Sequence, residues 1–430
     1  MKRIFAFLAA AALMCACAGD RDHVLKVYNW SEYVDEDAIS DFEAWYEEQT
    51  GEKVRVIYQT FDVNETMLSK IEKGHEDFDV VCPSDYIIER MLREDLLLPI
   101  SHDFGDTPDY IAQNLSPYIR SLLDKLDGNG KNANDYAVGY MWGTTGIIYN
   151  ADKVTEEEVS TWNVLRNPRL AGNIFMKDSA RDVFSQIIIY LRRDQLASGE
   201  ITLDELMLDS SDEAIADVEA FLMDVKPLVA GWEADFGKDQ LILGRGWISL
   251  NWSGDGIWAR EQAAPLGVDL RYITPKEGFT VWMDGWVIPK YARNTKAASY
   301  WINFMNRPDI AIRNIKYTGY ICCCGAQEVL DAFIEDEYPP IDVSYFFGPG
   351  NDSVHVNPVR YPEYEFIQKG TIEHDWGDRT EALMQMWNRV KGDNASSLTV
   401  IIVAAFIVAL AAFAVWSKFF KGRKRSRRRR

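Results

Sequence analysis

The 430 residues are 47% hydrophobic and 26% charged, with a formal net charge of −20, which excludes a disordered chain and leaves enough apolar material for two packed lobes. The last thirteen residues, KFFKGRKRSRRRR, carry nine Lys or Arg and no acid, so residues 1–417 hold a net −29. A body that acidic repels nucleic acid and anionic lipid and attracts cations.

In chain order, MKRIFAFLAAAALMCACAGD has the basic start, short apolar run and small residues of a secretory signal. With Cys17 between Ala16 and Ala18 it resembles a bacterial lipoprotein signal. That resemblance implies a signal over residues 1–17 and lipidation at Cys17, with simple cleavage as the alternative, because Met14 and Cys15 depart from the usual preceding positions. VLKVYNW then reads as a strand. DEDAISDFEAWYEEQTG reads as a helix, with apolar residues near 3.6 spacing at Ile39, Phe42, Trp45 and Tyr46 and a closing glycine. KVRVIYQTF is strand-like, NETMLSKIEKG reads as a capped helix, and FDVVCPSDY as a buried strand ending in a turn, with Asp85 assigned to that turn. This succession predicts a parallel sheet covered by helices, with a ligand crevice at the carboxyl ends of the strands.

Aromatic and acidic residues recur at these strand ends: Trp30, Glu32 and Tyr33 in YNWSEY, then Ser84 and Tyr86 in PSDY. Later come Asp182 in KDSARDVF, Trp252 and Asp255 in NWSGDGIW, Trp282 and Asp284 in VWMDGW, Tyr320 in YTGY, and Glu373 in GTIEHDWGD. Singly these are weak signals, since strand aromatics usually belong to a core and Asp or Ser at a strand end usually makes a turn. Together they repeat one chemistry. A carboxylate among indoles is costly to bury unless a positive group meets it.

Cys82 lies in an apolar run, and Cys322, Cys323 and Cys324 are consecutive, too close for zinc-type spacing, so no metal site is read. A disulfide from Cys82 to one of the three, or buried free thiols, are both compatible with the sequence. Residues 395–417, ASSLTVIIVAAFIVALAAFAVWS, contain no charge and predict a transmembrane helix over 397–416, about long enough for a hydrocarbon core of roughly 30 Å. The basic tail, 417–430, is then cytoplasmic. The body lies in the periplasm, anchored to the inner membrane.

YNWSEY at 28, FDVVCPSDY at 78, YMWGTTGIIYN at 140, SARDVF at 179, NWSGD at 251, VWMDGWVIP at 281 and INFMNRPDIA at 302 resemble, in this order, the periplasmic spermidine/putrescine-binding proteins of polyamine ABC importers. The resemblance runs from about residue 24 to 393. It implies an α/β fold, the two-lobed type II periplasmic binding fold, with residues 24–138 and 285–328 in one lobe and 139–284 and 329–393 in the other. It also implies a polyamine ligand, putrescine or spermidine, a membrane permease as partner, no cofactor and no enzymatic activity, with a monomer as the default state. By the same resemblance, Trp252 and Trp282 wall the methylene chain, with Trp30, Tyr33, Tyr86 and Tyr320 as further aromatic contacts and Ser84 as a hydroxyl contact. Asp255 and Asp284 are the principal ammonium partners, joined by Glu32, Asp182 and Glu373. The competing expectations are a binder of the same fold for iron or thiamine, and a glycoside hydrolase using two of the carboxylates.

Overall fold

A computed structural model describes residues 21–233 and 236–392. The signal, Cys17, the apolar segment 397–416 and the basic tail lie outside the described residues, and among those described no helix is long and apolar enough to cross a membrane.

Val24–Trp30 pairs in parallel with Arg55–Phe61 and, at Val27 and Tyr28, with Val80–Val81. The helix Asp37–Thr50 crosses between the first two strands, burying Ala38, Phe42, Trp45 and Tyr46 on one face. It stops at Gly51, whose φ of 72° is a conformation that glycine adopts without steric cost. On the far side, Ile248–Trp252 pairs in parallel with Ile174–Lys177, which pairs in parallel with Val229–Glu233.

Two long strands join these halves. Ala137–Asn150, buried at every position, runs antiparallel to Phe279–Pro289 from Val281 opposite Thr144 to Val287 opposite Ala137. The sheet is therefore mixed, not the parallel one expected: parallel strands flank an antiparallel central pair. Local periodicity identifies strands, but their pairing depends on contacts across some 140 residues of chain.

Two main hydrophobic cores result. Leu25, Phe42, Ile88, Trp142, Trp286 and Trp301 belong to the first, and Ile147, Trp162, Ile187, Leu250 and Trp387 to the second. Ala137–Asn150 passes from one to the other between Trp142 and Ile147. Residues 329–393, expected in the second lobe, are divided. Val329, Phe346, Tyr361 and Ile372 pack in the first core, with Phe346 stacked on Trp142 at 5.2 Å, and Trp376 to Val390 join the second. Cys82, Cys322, Cys323 and Cys324 are buried free thiols.

Candidate functional site

Asp284 lies where the register of the two long strands shifts: it faces Met141, whereas Gly285 faces Gly139, leaving Tyr140 as the extra residue. Such a bulge re-aims side chains. Tyr140 donates its hydroxyl to the Tyr33 carbonyl at 2.6 Å, and the Tyr33 hydroxyl donates to Asp284 Oδ2 at 2.8 Å. Ser84 Oγ donates to Asp284 Oδ1 at 2.7 Å, and the Gly285 N–H donates to the Pro83 carbonyl, tying the PSDY turn to the same spot. Burial pushes the Asp284 carboxyl up to about 6, against the lowering effect of both hydroxyls.

A row of rings runs from this carboxyl. Tyr33 meets Tyr320 at 5.5 Å, Tyr320 meets Trp282 at 5.6 Å, and Trp282 meets Trp252 at 6.3 Å, all edge to face. Glycine permits the approach. A Cβ on Gly143 would stand 2.5 Å from Trp282, and one on Gly254 would stand 2.4 Å from Tyr320.

The second lobe adds Asp182, in the first turn of the helix Ala180–Leu191. Its carboxylate accepts from Ser179 Oγ at 2.5 Å, Thr145 Oγ1 at 3.1 Å and Trp252 Nε1 at 3.2 Å. Glu373 is buried, and that burial, reinforced by Asp182, pushes its carboxyl up to about 8 even though Arg181 acts in the opposite direction. Among the described residues, Glu373 Oε1 has no hydrogen-bond partner. Arg181 lies 4.5 Å over the Tyr86 ring and donates to the His374 carbonyl.

Sequence reasoning missed two polar members of this group. Asp85, read as a turn residue, is buried at the start of the helix Asp85–Arg93 and accepts from the N–H groups of Tyr86 and Met283. Burial holds its carboxyl well above the usual range, and Glu373 and Asp284 add to that effect. Asn64, at the start of NETMLSKIEKG, makes no helix cap. Its amide donates to Ser84 Oγ and Tyr86 Oη, each at 3.0 Å. An Asp and an Asn at the first position of a helix are weak signals, and only the fold brings them together.

Three expected residues stand differently. Glu32 is an exposed turn residue with a left-handed φ of 54°, not one of the buried carboxyls. Trp30 packs on Phe61 at 4.5 Å instead of joining the row of rings. Asp255, expected to await a ligand amine, already holds the chain's own amines. Its Oδ1 accepts from Lys238 Nζ and the Tyr320 hydroxyl, each at 2.9 Å, and Oδ2 lies 3.0 Å from Lys177 Nζ. Burial works against its charge, but the two lysines hold the carboxyl below its ordinary value.

Two α/β cores sharing a pair of long strands, with rings and carboxyls from both gathered at the join, define a two-lobed solute-binding protein. Residues 39–334 match the family described as bacterial extracellular solute-binding protein, and the chain belongs to that family. It is similar to the spermidine/putrescine-binding periplasmic protein of Escherichia coli (strain K12), with 29% identity over 393 residues, covering 89% of this chain and 97% of that one. The putrescine-binding periplasmic protein PotF of the same organism is 28% identical over 363 residues, 80% of this chain and 91% of its own. Among solved structures, a putative spermidine/putrescine ABC transporter from Listeria monocytogenes superposes with a TM-score of 0.66 at 28% identity, covering 86% of this chain and 99% of that one. The chain is a binding protein and not an enzyme, which sets aside the hydrolase reading.

Proposed function

We propose that this protein is the extracytoplasmic binding component of a polyamine ABC importer, which captures putrescine or spermidine between its lobes and delivers it to a membrane permease. The observation that carries this reading is the row Tyr33, Tyr320, Trp282 and Trp252 with Asp284 at one end and Asp182 beside Trp252 at the other. A polyamine is a methylene chain bearing ammonium groups. Indole faces suit the methylenes and attract cations, by about 0.5–2 kcal/mol per contact. A carboxylate meeting an ammonium forms a charge-assisted hydrogen bond roughly twice as strong as a neutral one. The names of the relatives point the same way. Ser84, Tyr86, Asn64 and Arg181 position these groups, Glu373 and Asp85 complete the acid set, and Trp30 and Glu32 lie at its margin.

The raised carboxyls give the reading a pH signature. Asp284 and Glu373 rise from ordinary values of 3.8 and 4.5 to about 6 and about 8. Groups raised in the fold favour it at low pH: their contribution is full below about 4 and is lost as pH passes 6 and then 8. The ligand-free chain therefore becomes less stable across that window, whereas an ammonium ligand, which needs the ionised forms, binds more tightly. Calorimetric titration of the full chain with putrescine and spermidine should show saturable binding that strengthens from pH 5.5 to 8.5. Heats should vary with the ionisation enthalpy of the buffer, because protons leave on binding. No polyamine binding anywhere in this range would end the proposal.

The lobes divide between Trp142 and Ile147, and again between Ile372 and Trp376. The protein acts as a monomer tethered to the inner membrane through residues 397–416, with Cys17 as a lipidation site. Tethering raises the effective concentration of a binder beside its permease. Alkaline extraction of membranes should leave the chain in the pellet, and release into the soluble fraction would remove the tether.

A further inference from the structure

Three anionic loci adjoin one row of rings: Asp284 by Tyr33, Asp182 by Trp252, and Asp255 by Tyr320. The third differs from the other two in what surrounds it. Asp255 is 1% exposed, and so are Lys177 and Glu233. Lys177 Nζ lies 3.0 Å from Asp255 Oδ2, 3.9 Å from Glu233 Oε1 and 4.2 Å above the Trp252 ring. Lys238 reaches Asp255 Oδ1 at 2.9 Å from the helix Phe236–Ile242 and lies 5.1 Å over the Trp258 ring. Each lysine is an alkyl chain ending in an ammonium, set against a carboxylate and over an indole. That is the chemistry the proposed ligand would present.

We infer that Lys238, backed by Lys177, is a built-in ammonium that fills the Asp255 locus, and that it makes the site select diamines over triamines. The inference rests on the polyamine reading above. A carboxylate has about four acceptor positions, and Lys238, Tyr320 and Lys177 already converge on Asp255. Among the described residues, the side-chain hydrogen bonds on Asp284 and Asp182 come from hydroxyl and indole donors and not from lysine. Two ammonium groups of a ligand thus find carboxylates. A third that enters beside Tyr320 meets Lys238 on Asp255, so at that locus the repulsion discriminates as the attraction does not. Lys238 is the member to change, because its side chain is 19% exposed whereas that of Lys177 is 1%.

The test is titration of the full chain and its Lys238→Met variant with putrescine and spermidine. The variant should bind spermidine about tenfold more tightly, the equivalent of one added ammonium contact of about 1.4 kcal/mol, so that the ratio of spermidine to putrescine affinity rises. Lys238→Arg, which keeps the charge, should keep the parent's ratio of affinities. A ratio that Lys238→Met leaves unchanged, or that falls, overturns the inference while leaving the polyamine reading intact. A parent chain that binds neither amine overturns that reading instead. A melting temperature for each variant separates these outcomes from misfolding.

Discussion

Asp284→Asn weakens putrescine binding by about 2–5 kcal/mol, roughly 30- to 5,000-fold in Kd, the range for truncating one partner of a buried charge pair. The substitution removes the charge and almost nothing else. Asn Oδ1 still accepts from one of the two hydroxyls that now donate to Asp284, Tyr33 and Ser84. The other hydroxyl turns to accept from the new amide, as a rotating O–H can. The ligand-free fold gains from the change. Above the Asp284 value of about 6 the folded chain carries an ionised carboxylate that burial disfavours, a penalty on the order of 1–3 kcal/mol for a group raised from 3.8. The same variant should therefore melt at a higher temperature without ligand while binding far less of it. Calorimetry at pH 8 with a paired thermal melt reads both signs. Wild-type affinity in the variant would remove Asp284 from the site, and a lowered melting temperature would attribute lost binding to damage.

How far the chain announced this arrangement depends on the range of the interactions involved. The helix Asp37–Thr50 follows from spacing and a terminal glycine, both local. The rings Tyr33, Trp252, Trp282 and Tyr320 stand out because an aromatic beside an acid or hydroxyl recurs at strand ends. Their meeting in one row was implied by resemblance, not by any property of the segments themselves. The split of residues 329–393 was illegible for a related reason: its elements are short, Ser344–Phe347 and Tyr364–Ile367 for example, and no periodicity says which core they face. Asp85 and Asn64 look like a turn and a cap because those are the common uses of such residues.

Lys177 shows the limit most sharply. The strand Ile174–Lys177, IFMK, ends on a lysine that is as buried as the apolar residues before it. A buried lysine is expensive, and only the approach of Asp255 and Glu233 from two other segments makes it tolerable. Sequence periodicity carries no trace of such compensation, so Asp255, expected with Asp284 as a principal ammonium partner, is an acid the chain engages itself.

Lys177→Met should destabilise the fold by about 3–5 kcal/mol near pH 7, as removing one side of a buried ion pair does. Methionine matches the length and apolar body of lysine, so packing around Trp252 is kept and the loss reports charge alone. Asp255 keeps Lys238 and Tyr320 but loses the more deeply buried cation. The sign of the pH dependence separates this from a packing defect. In the parent the lysines hold the Asp255 carboxyl below 3.8 against the opposing effect of burial, so its contribution is present above that value and is lost as pH falls through the lowered one. In the variant that carboxyl rises, and it takes up a proton at higher pH as the solution is acidified. The gap between parent and variant must therefore narrow from pH 7 towards pH 4, whereas a cavity would cost the same at both. Adding Asp255→Asn to Lys177→Met should restore part of the loss at pH 7, because the carboxylate that needed the cation has gone, and denaturant midpoints followed by tryptophan emission measure all three chains. A loss under about 1 kcal/mol, or one that does not change with pH, would mean that Lys177 does not hold the charge of Asp255.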